Sequence, residues 1–316
     1  MPRHKPFVAA MWLLALLALL SACGGADTAT PAAAPAATAA AKKLDLVASF
    51  SILGDLIQNV GGDRVAVRML VGPGGDAHTF EPSPADGVAL AEADLVFENG
   101  LGFEPWLDDL YTSSGSQAPR VVVTERIEPI KIEAGSEHGE FDPHVWSDAG
   151  NAMRMVEAIR DALVKADPAG AAVYKANAEQ YLAEIKILDD FIVAETNKLP
   201  QERRKLVTSH DTFGYFATRY GYEIIGTALG STTETADPSA GAIVALVEQI
   251  KAAGVPAIFA ENIQNPGLMD RIASEAGVKI GPTLYTDALG EPGSHGDTYL
   301  KMMRYNVTSI VTALGS

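Results

Sequence analysis

From Leu44 onward, the sequence alternates short apolar runs with segments whose apolar residues recur at helical spacing. The first run is Leu44–Phe50, and the segment behind it places Ile52, Leu56 and Val60 on one helical face before it stops at Gly61. Such alternation is typical of parallel sheets whose strands are connected by helices. The pattern therefore predicts an α/β fold with mainly parallel sheets.

Residues 148–199 interrupt the alternation, because their pattern is helical throughout and contains no strand. Asp167-Pro168 divides this region, and the second part can form a helix of about 25 residues and nearly 40 Å. With 316 residues, the chain exceeds the size at which one hydrophobic core usually suffices. We therefore predict two lobes joined by a helix: an N-terminal α/β lobe at 44–170, a linking helix at 171–199 and a C-terminal α/β lobe at 200–316.

The chain begins with a short basic stretch followed by the apolar run Phe7–Leu20. This run is too short to cross about 30 Å of hydrocarbon, so residues 1–22 are predicted to be a secretory signal peptide. Leu20-Ser21-Ala22-Cys23 resembles a bacterial lipobox, which implies cleavage before Cys23 and a lipid on its sulfur. A plain signal peptide cleaved elsewhere is the alternative.

Residues 23–43 consist mainly of Ala, Thr, Pro and Gly. They offer no periodic apolar face, so a lipidated flexible tether is predicted. The protein is then expected in the cell envelope, in the periplasm or on the outer face of the cytoplasmic membrane, with the lipid as its only membrane anchor.

Charge and cysteine content exclude several kinds of site. The chain has 24 Lys+Arg against 40 Asp+Glu, a formal net charge of −16, which disfavours a nucleic-acid partner. A single cysteine permits neither an internal disulfide nor a thiolate-rich metal site. Any metal must therefore be held by histidine and carboxylate. No phosphate-binding glycine loop and no nucleophile elbow are present.

Three histidines follow predicted strands or their exit loops: His78, His144 and His210. Ligands of open α/β sheets bind beyond the carboxyl ends of the strands, where these histidines are expected. Each one alone fits an ordinary hydrogen-bonded histidine better than a ligand. Together with Asp287, two from each side of the central helix, they predict a metal held between the lobes.

From about Leu44 to the C-terminus, the chain resembles the metal-specific substrate-binding proteins of bacterial ABC importers, which capture zinc or manganese. The segments that carry the resemblance are Pro73–Pro84 (PGGDAHTFEPSP), Glu98–Leu107 (ENGLGFEPWL), Asp142–Trp146 (DPHVW), Ser209–Phe216 (SHDTFGYF), Tyr285–Gly290 (YTDALG) and Met303–Asn306 (MRYN).

The resemblance implies two lobes bridged by one long rigid helix, with the metal site in the cleft between them. The implied ligands are His78 and His144 from the N-terminal lobe and His210 and Asp287 from the C-terminal lobe. It also implies a non-enzymatic, monomeric receptor that delivers its metal to an ABC permease.

Three neutral imidazoles and one carboxylate suit the tetrahedral preference of Zn²⁺. Mn²⁺ prefers more oxygen ligands and binds a given site more weakly. Manganese-binding members of the family usually carry Glu at the third position, so His210 favours zinc, with manganese or mixed specificity as the alternative.

Other residues are weaker candidates. Glu81, Glu261 and Trp146 are candidates for orienting the ligands, since metal-bound imidazoles usually donate their second N–H to a carboxylate or carbonyl. Helix capping by Glu81 and packing by Trp146 are at least as consistent with the sequence. His138, in a short acidic loop, is a weak candidate for collecting metal; a solvated loop is the favoured interpretation.

Two other functions remain open from the sequence. One is a zinc hydrolase with three histidines on the metal, a water at the fourth position and Asp287 as general base. The other is an adhesin-like surface protein. An ABC receptor for zinc is the leading hypothesis.

Overall fold

The structure is a computed structural model that describes residues 42–132, 141–229 and 238–316. Its strands are β1 (Leu44–Phe50), β2 (Val65–Val71), β3 (Leu95–Glu98), β4 (Arg120–Val122), β5 (Lys205–Thr208), β6 (Glu223–Thr227), β7 (Ala257–Ile258) and β8 (Lys279–Ile280). Its helices are α1 (Ser51–Gly61), α2 (Pro84–Glu92), α3 (Leu107–Ser114), α4 (Ala149–Ala166), α5 (Ala171–Thr196), α6 (Gly214–Tyr220), α7 (Ala240–Ala253), α8 (Gly267–Ala276) and α9 (Tyr299–Gly315).

The N-terminal lobe contains a parallel sheet with strand order β2-β1-β3-β4. Strand β1 is central, and Leu46 pairs with Val67 on one side and with Leu95 on the other. Both faces of β1 are buried, because α1 and α4 cover one face while α2 and α3 cover the other. An apolar run without alternation is what such a doubly covered strand requires.

The C-terminal lobe contains two parallel strand pairs, β5 with β6 and β7 with β8. The backbone N–H of Phe259 donates to the carbonyl of Val207 at 3.0 Å, which places the two pairs side by side. The carboxyl end of β5 is therefore close to the segment that follows β7, and both segments contribute to the site described below.

Helix α5 is the long helix predicted from the sequence. Its 26 residues correspond to about 39 Å, and it packs against α1, α4 and α9. The α/β architecture with parallel sheets and one long helix confirms the predicted fold of two lobes. The lobe boundaries at residues 170 and 200 remain a prediction.

Helix α3 begins later than the sequence pattern indicates. The pattern predicts a helix from Pro105 to Leu110, whereas α3 begins at Leu107 and ends at Ser114. The buried carboxylate of Glu104 explains the late start, because it accepts the backbone N–H groups of Asn99 and Gly100 and thereby holds a turn. The helix ends where Gly115 adopts a left-handed conformation (φ 69°).

In the part of the chain that the structure describes, no helix is long and apolar enough to cross a membrane. The predicted signal peptide, Cys23, most of the tether and His138 lie outside the described residues.

Candidate metal centre

His78 and His144 are held by the same local turn. In each case the aspartate two residues earlier accepts the histidine's backbone N–H, from His78 to Asp76 and from His144 to Asp142, both at 2.9 Å. The turns lie in the loops that follow β2 and β4, so both imidazoles are fixed near the carboxyl ends of the N-terminal sheet.

His210 and Asp287 come from the C-terminal lobe. His210 lies two residues beyond the end of β5. Asp287 follows Leu284, which forms an isolated parallel bridge with Glu261. The side chain of Asn306 on α9 holds the intervening backbone, since its Oδ1 accepts the N–H of Tyr285 at 3.0 Å. Both side chains thus also lie at the carboxyl ends of strands.

The four side chains converge on one point. Asp287 Oδ2 lies 3.1 Å from Nε2 of His78 and 3.0 Å from Nε2 of His210, and the two Nε2 atoms of His78 and His144 are 3.3 Å apart. One ligand atom from each residue lies within 4.8 Å of all the others. All four residues are at most 1% exposed. The structure therefore brings together the four predicted ligands in one buried cluster.

Two further carboxylates orient the histidines from behind. Asp142 Oδ1 lies 2.8 Å from Nδ1 of His144, and Glu261 Oε2 lies 2.5 Å from Nδ1 of His210. Glu261 also accepts the backbone N–H of His210 at 2.9 Å and the hydroxyl of Thr286 at 3.0 Å. These contacts direct each Nε2 toward the cluster, which is the usual arrangement behind metal-bound imidazoles.

The sequence singled out Glu261 as an orienting residue but not Asp142. The available signal was the Asp-x-His spacing, which also occurs at Asp76 and His78. An aspartate two residues before a histidine can bind its backbone N–H. In the second turn, the same carboxylate also reaches the ring.

Trp146 connects the two lobes next to the cluster. Its indole N–H donates to the carbonyl of Thr286 at 2.9 Å, and its ring centroid lies 5.5 Å from that of His144. Trp146 therefore both packs against a ligand and holds the residue before Asp287. Glu81, in contrast, is exposed and forms no hydrogen bond or ion pair with a described residue.

The members of the cluster differ in the direction in which their surroundings shift their pKa values. Burial lowers the pKa of His78 and outweighs the attraction of Asp287. At His210, burial also acts to lower the pKa, but the charges of Glu261 and Asp287 prevail and raise it well above its ordinary value. Burial opposes ionisation of Asp287, yet His210 and His144 hold its pKa well below the usual range.

The donor set fits a divalent metal ion. Ligand atoms about 2.0–2.1 Å from a tetrahedral Zn²⁺ are about 3.3 Å apart. Three of the distances between ligand atoms in the cluster, at 3.0 to 3.3 Å, are close to this value, and all of them are within 4.8 Å. Burying one carboxylate among three imidazoles is costly unless the group is paired or coordinates a metal. The cluster thus has the composition and spacing of a four-ligand metal site.

Residues 46–313 match the model of one protein family, described as "ZnuA: Zinc-uptake complex component A periplasmic". The chain belongs to this family. Its members are solute-binding proteins of ABC importers that deliver metal to a permease, and they are not enzymes, which removes the zinc-hydrolase alternative.

Relatives in the family carry different metals in their names. The manganese-binding lipoprotein MntA of Halalkalibacterium halodurans is 37% identical over 304 residues, covering 96% of this chain and 97% of that protein. The iron-binding protein YfeA of Yersinia pestis is 31% identical over 313 residues, covering 99% and 98%.

Among solved structures, the periplasmic zinc binding protein TroA from Treponema pallidum aligns with a TM-score of 0.80 and 31% identity, covering 86% of this chain and 99% of TroA. This likeness confirms the two-lobe fold. The family binds divalent metals, and the names alone do not select one.

Proposed function

We propose that the protein is a lipid-anchored receptor that captures Zn²⁺ outside the cytoplasmic membrane and delivers it to an ABC permease. The observation that carries the proposal is the convergence of three imidazoles and one carboxylate, His78, His144, His210 and Asp287, in a buried cluster. Cys23 is the proposed lipid attachment site, and the receptor acts as a monomer.

Zinc is favoured by the composition of the cluster. Three of its four donors are imidazole nitrogens, which suit Zn²⁺ better than the oxygen-preferring Mn²⁺. Oδ2 of Asp287 lies closest to the histidines, whereas Oδ1 accepts the hydroxyl of Thr212 at 3.2 Å and lies 3.8 Å from Nε2 of His144.

Manganese is the second candidate, because a relative that covers almost the whole chain at 37% identity is named as manganese-binding. Competitive titration of the purified protein with Zn²⁺ and Mn²⁺ against chelators of known affinity distinguishes the two. We expect tighter binding of zinc at one site per chain. Equal or tighter binding of manganese would contradict the zinc assignment.

Substitution of His210 tests the ligand assignment. His210→Ala should weaken zinc binding by more than about 100-fold, because loss of even a supporting carboxylate typically costs about 10–100-fold. His210→Glu should narrow the ratio of zinc to manganese affinity, since it replaces nitrogen by oxygen donors. His295→Ala is the control, because His295 is exposed and outside the cluster. Unchanged zinc binding in both His210 variants would exclude His210 as a ligand.

A further inference from the structure

A cavity of about 630 Å³ lies on the C-terminal lobe, between the loop at residues 293–295 and one face of α9. Its ionisable lining residues are His295, Lys301, Arg304 and Tyr305, and no aspartate or glutamate among the described residues lines it. Hydroxyl groups of Ser294, Thr308, Ser309 and Thr312 complete the wall. This basic pocket is unusual in a chain whose formal net charge is −16.

Arg304 is the most informative residue of the basic pocket. Of the arginines in the described ranges, it alone has no hydrogen bond or ion pair with a described residue. Its guanidinium lies over the ring of Phe191, 4.6 Å from the centroid, so the side chain is already held in place. A guanidinium oriented in this way keeps its N–H donors available to a carboxylate.

Contacts among its lining residues and with Asp297 hold the wall of the basic pocket in place. The rings of His295 and Tyr305 are stacked, with centroids 5.4 Å apart and planes 4° apart. Asp297 ties the loop to the helix, because it accepts the N–H of Gly293 at 2.9 Å and pairs with Lys301 at 2.8 Å. The pocket is thus a preformed feature of the lobe.

The same loop joins the basic pocket to the metal cluster and to the other lobe. Between Asp287 and the pocket lies Leu289, whose N–H donates to the hydroxyl of Ser51 at 3.0 Å and whose carbonyl accepts the N–H of Gly74 at 2.8 Å. These are contacts with the N-terminal lobe, so the loop that forms one wall of the pocket also contacts the other lobe near Asp287.

We propose that the basic pocket docks an acidic segment of the permease, with Arg304 and Lys301 binding its aspartate or glutamate side chains. The inference rests on the proposed delivery of metal to a permease. A partner with exposed carboxylates is selected because complementary charge steers association and fixes the docking register. Docking here places the permease against the loop that carries Asp287.

The test uses the full-length protein in cells that lack their own copy of its gene. The double variant Lys301→Glu, Arg304→Glu should lower uptake of radioactive metal at least about tenfold, because charge reversal places like charges across the interface. Its zinc affinity, measured on the purified protein, should stay within about twofold of the parent, since neither residue belongs to the metal cluster. Arg304→Gln should give an intermediate loss of uptake.

The control is the double variant Lys251→Glu, Arg271→Glu, which makes the same change of charge on α7 and α8 of the same lobe. It should transport at the parent rate. Parental uptake by the Lys301, Arg304 variant would overturn the proposal, as would loss of its zinc affinity together with uptake. Saturable binding of citrate to the pocket with uptake unaffected would instead identify a small-anion site and equally overturn docking.

Uptake is followed with both zinc and manganese, and docking is scored on whichever metal the parent delivers. A parent that delivers only manganese would therefore refute the zinc assignment while leaving the docking test intact.

Discussion

His210 lies between two buried carboxylates, Glu261 beside Nδ1 and Asp287 beside Nε2. The first orients the ring and the second shares the proposed metal. Because both carboxylates favour a positive charge, the pKa of His210 is raised well above its ordinary value, even though burial opposes this shift. The same imidazole must be neutral to bind a metal ion.

Zinc binding should therefore release a proton from His210. The raised pKa favours the protonated form of His210 in the metal-free protein, whereas the lowered pKa of His78 favours its neutral form. Calorimetry at pH 7 in buffers of different ionisation enthalpy should show that protons are released as zinc binds. Affinity should decrease as pH falls, and the proton signal should disappear in His210→Ala. Binding without proton release would contradict this assignment.

Glu261→Gln tests how much the negative charge of Glu261, rather than the size of its side chain, supports His210. The amide keeps the size of the side chain and one acceptor, but it loses the negative charge beside His210. Zinc affinity should fall by about 10–100-fold, the usual cost of removing a supporting carboxylate. Glu81→Gln is the matched control, since Glu81 is exposed and makes no hydrogen bond or ion pair with a described residue. Equal affinities of the two variants would show that Glu261 does not support the ligand.

At the residue scale, the sequence predicted the four ligands of the cluster but only some of the residues that orient them. The four ligands follow strands, so their approximate positions depend on the order of elements alone. Asp142 was missed because its contact with Nδ1 of His144 depends on side-chain torsions within one turn. The Asp-x-His pattern at residues 76–78 and 142–144 does not encode these torsions.

At the scale of elements, the long helix α5 is stabilised by one buried face. Tyr181, Ile185 and Leu188 on this face are at most 4% exposed, and the helix packs against α1, α4 and α9. Ile187, two residues from Ile185, is 60% exposed. A buried isoleucine, Ile185, can therefore be compared with an exposed one, Ile187, on the same helix.

Ile185→Ala should lower the free energy of unfolding by about 2–5 kcal/mol, because it leaves a cavity in a closely packed core. Ile187→Ala should change it by no more than about 0.5 kcal/mol, as is usual for surface substitutions. Chemical denaturation of the metal-free proteins measures both. A similar loss in the two variants would contradict the packing argument, because alanine has a higher helix propensity than isoleucine and does not itself destabilise a helix.

Elements with strong local signals were predicted accurately. The sequence pattern from Ala240 to Ala253 predicts a helix with the observed bounds of α7, where Ser239 caps its start and Gly254 follows its end with a positive φ of 64°. Helix α2 likewise begins at Pro84 after Ser83, which forms a capping box with Asp86. The late start of α3 could not be predicted, because it depends on a buried turn held by Glu104.

At the scale of the whole molecule, the metal cluster lies between two lobes that each have their own sheet. Strands such as β1 and β5 are buried in the two lobes without any contribution from the four ligands. Folding of the lobes is therefore expected to be independent of metal. Metal binding at the cluster should add stability to a protein that is already folded.

Zinc should accordingly raise the stability of a protein that is folded without it. At a free concentration of 100 times the dissociation constant, the gain should be about 2.7 kcal/mol from mass action. Thermal unfolding with and without zinc should show this as an increase in Tm, which His210→Ala should lack at the same zinc concentration. A metal-free protein without helical signal in far-ultraviolet circular dichroism would refute the expectation.

The two tryptophans of the described chain both touch ligand-bearing segments. The indole N–H of Trp146 donates to the carbonyl beside Asp287, and that of Trp106 donates at 2.7 Å to the carbonyl of Ala77, next to His78. Indole emission depends on the charge and hydrogen bonding around the ring. The fluorescence of the unlabelled protein should therefore report the arrival and departure of metal in real time, with one optical probe in contact with each side of the cleft.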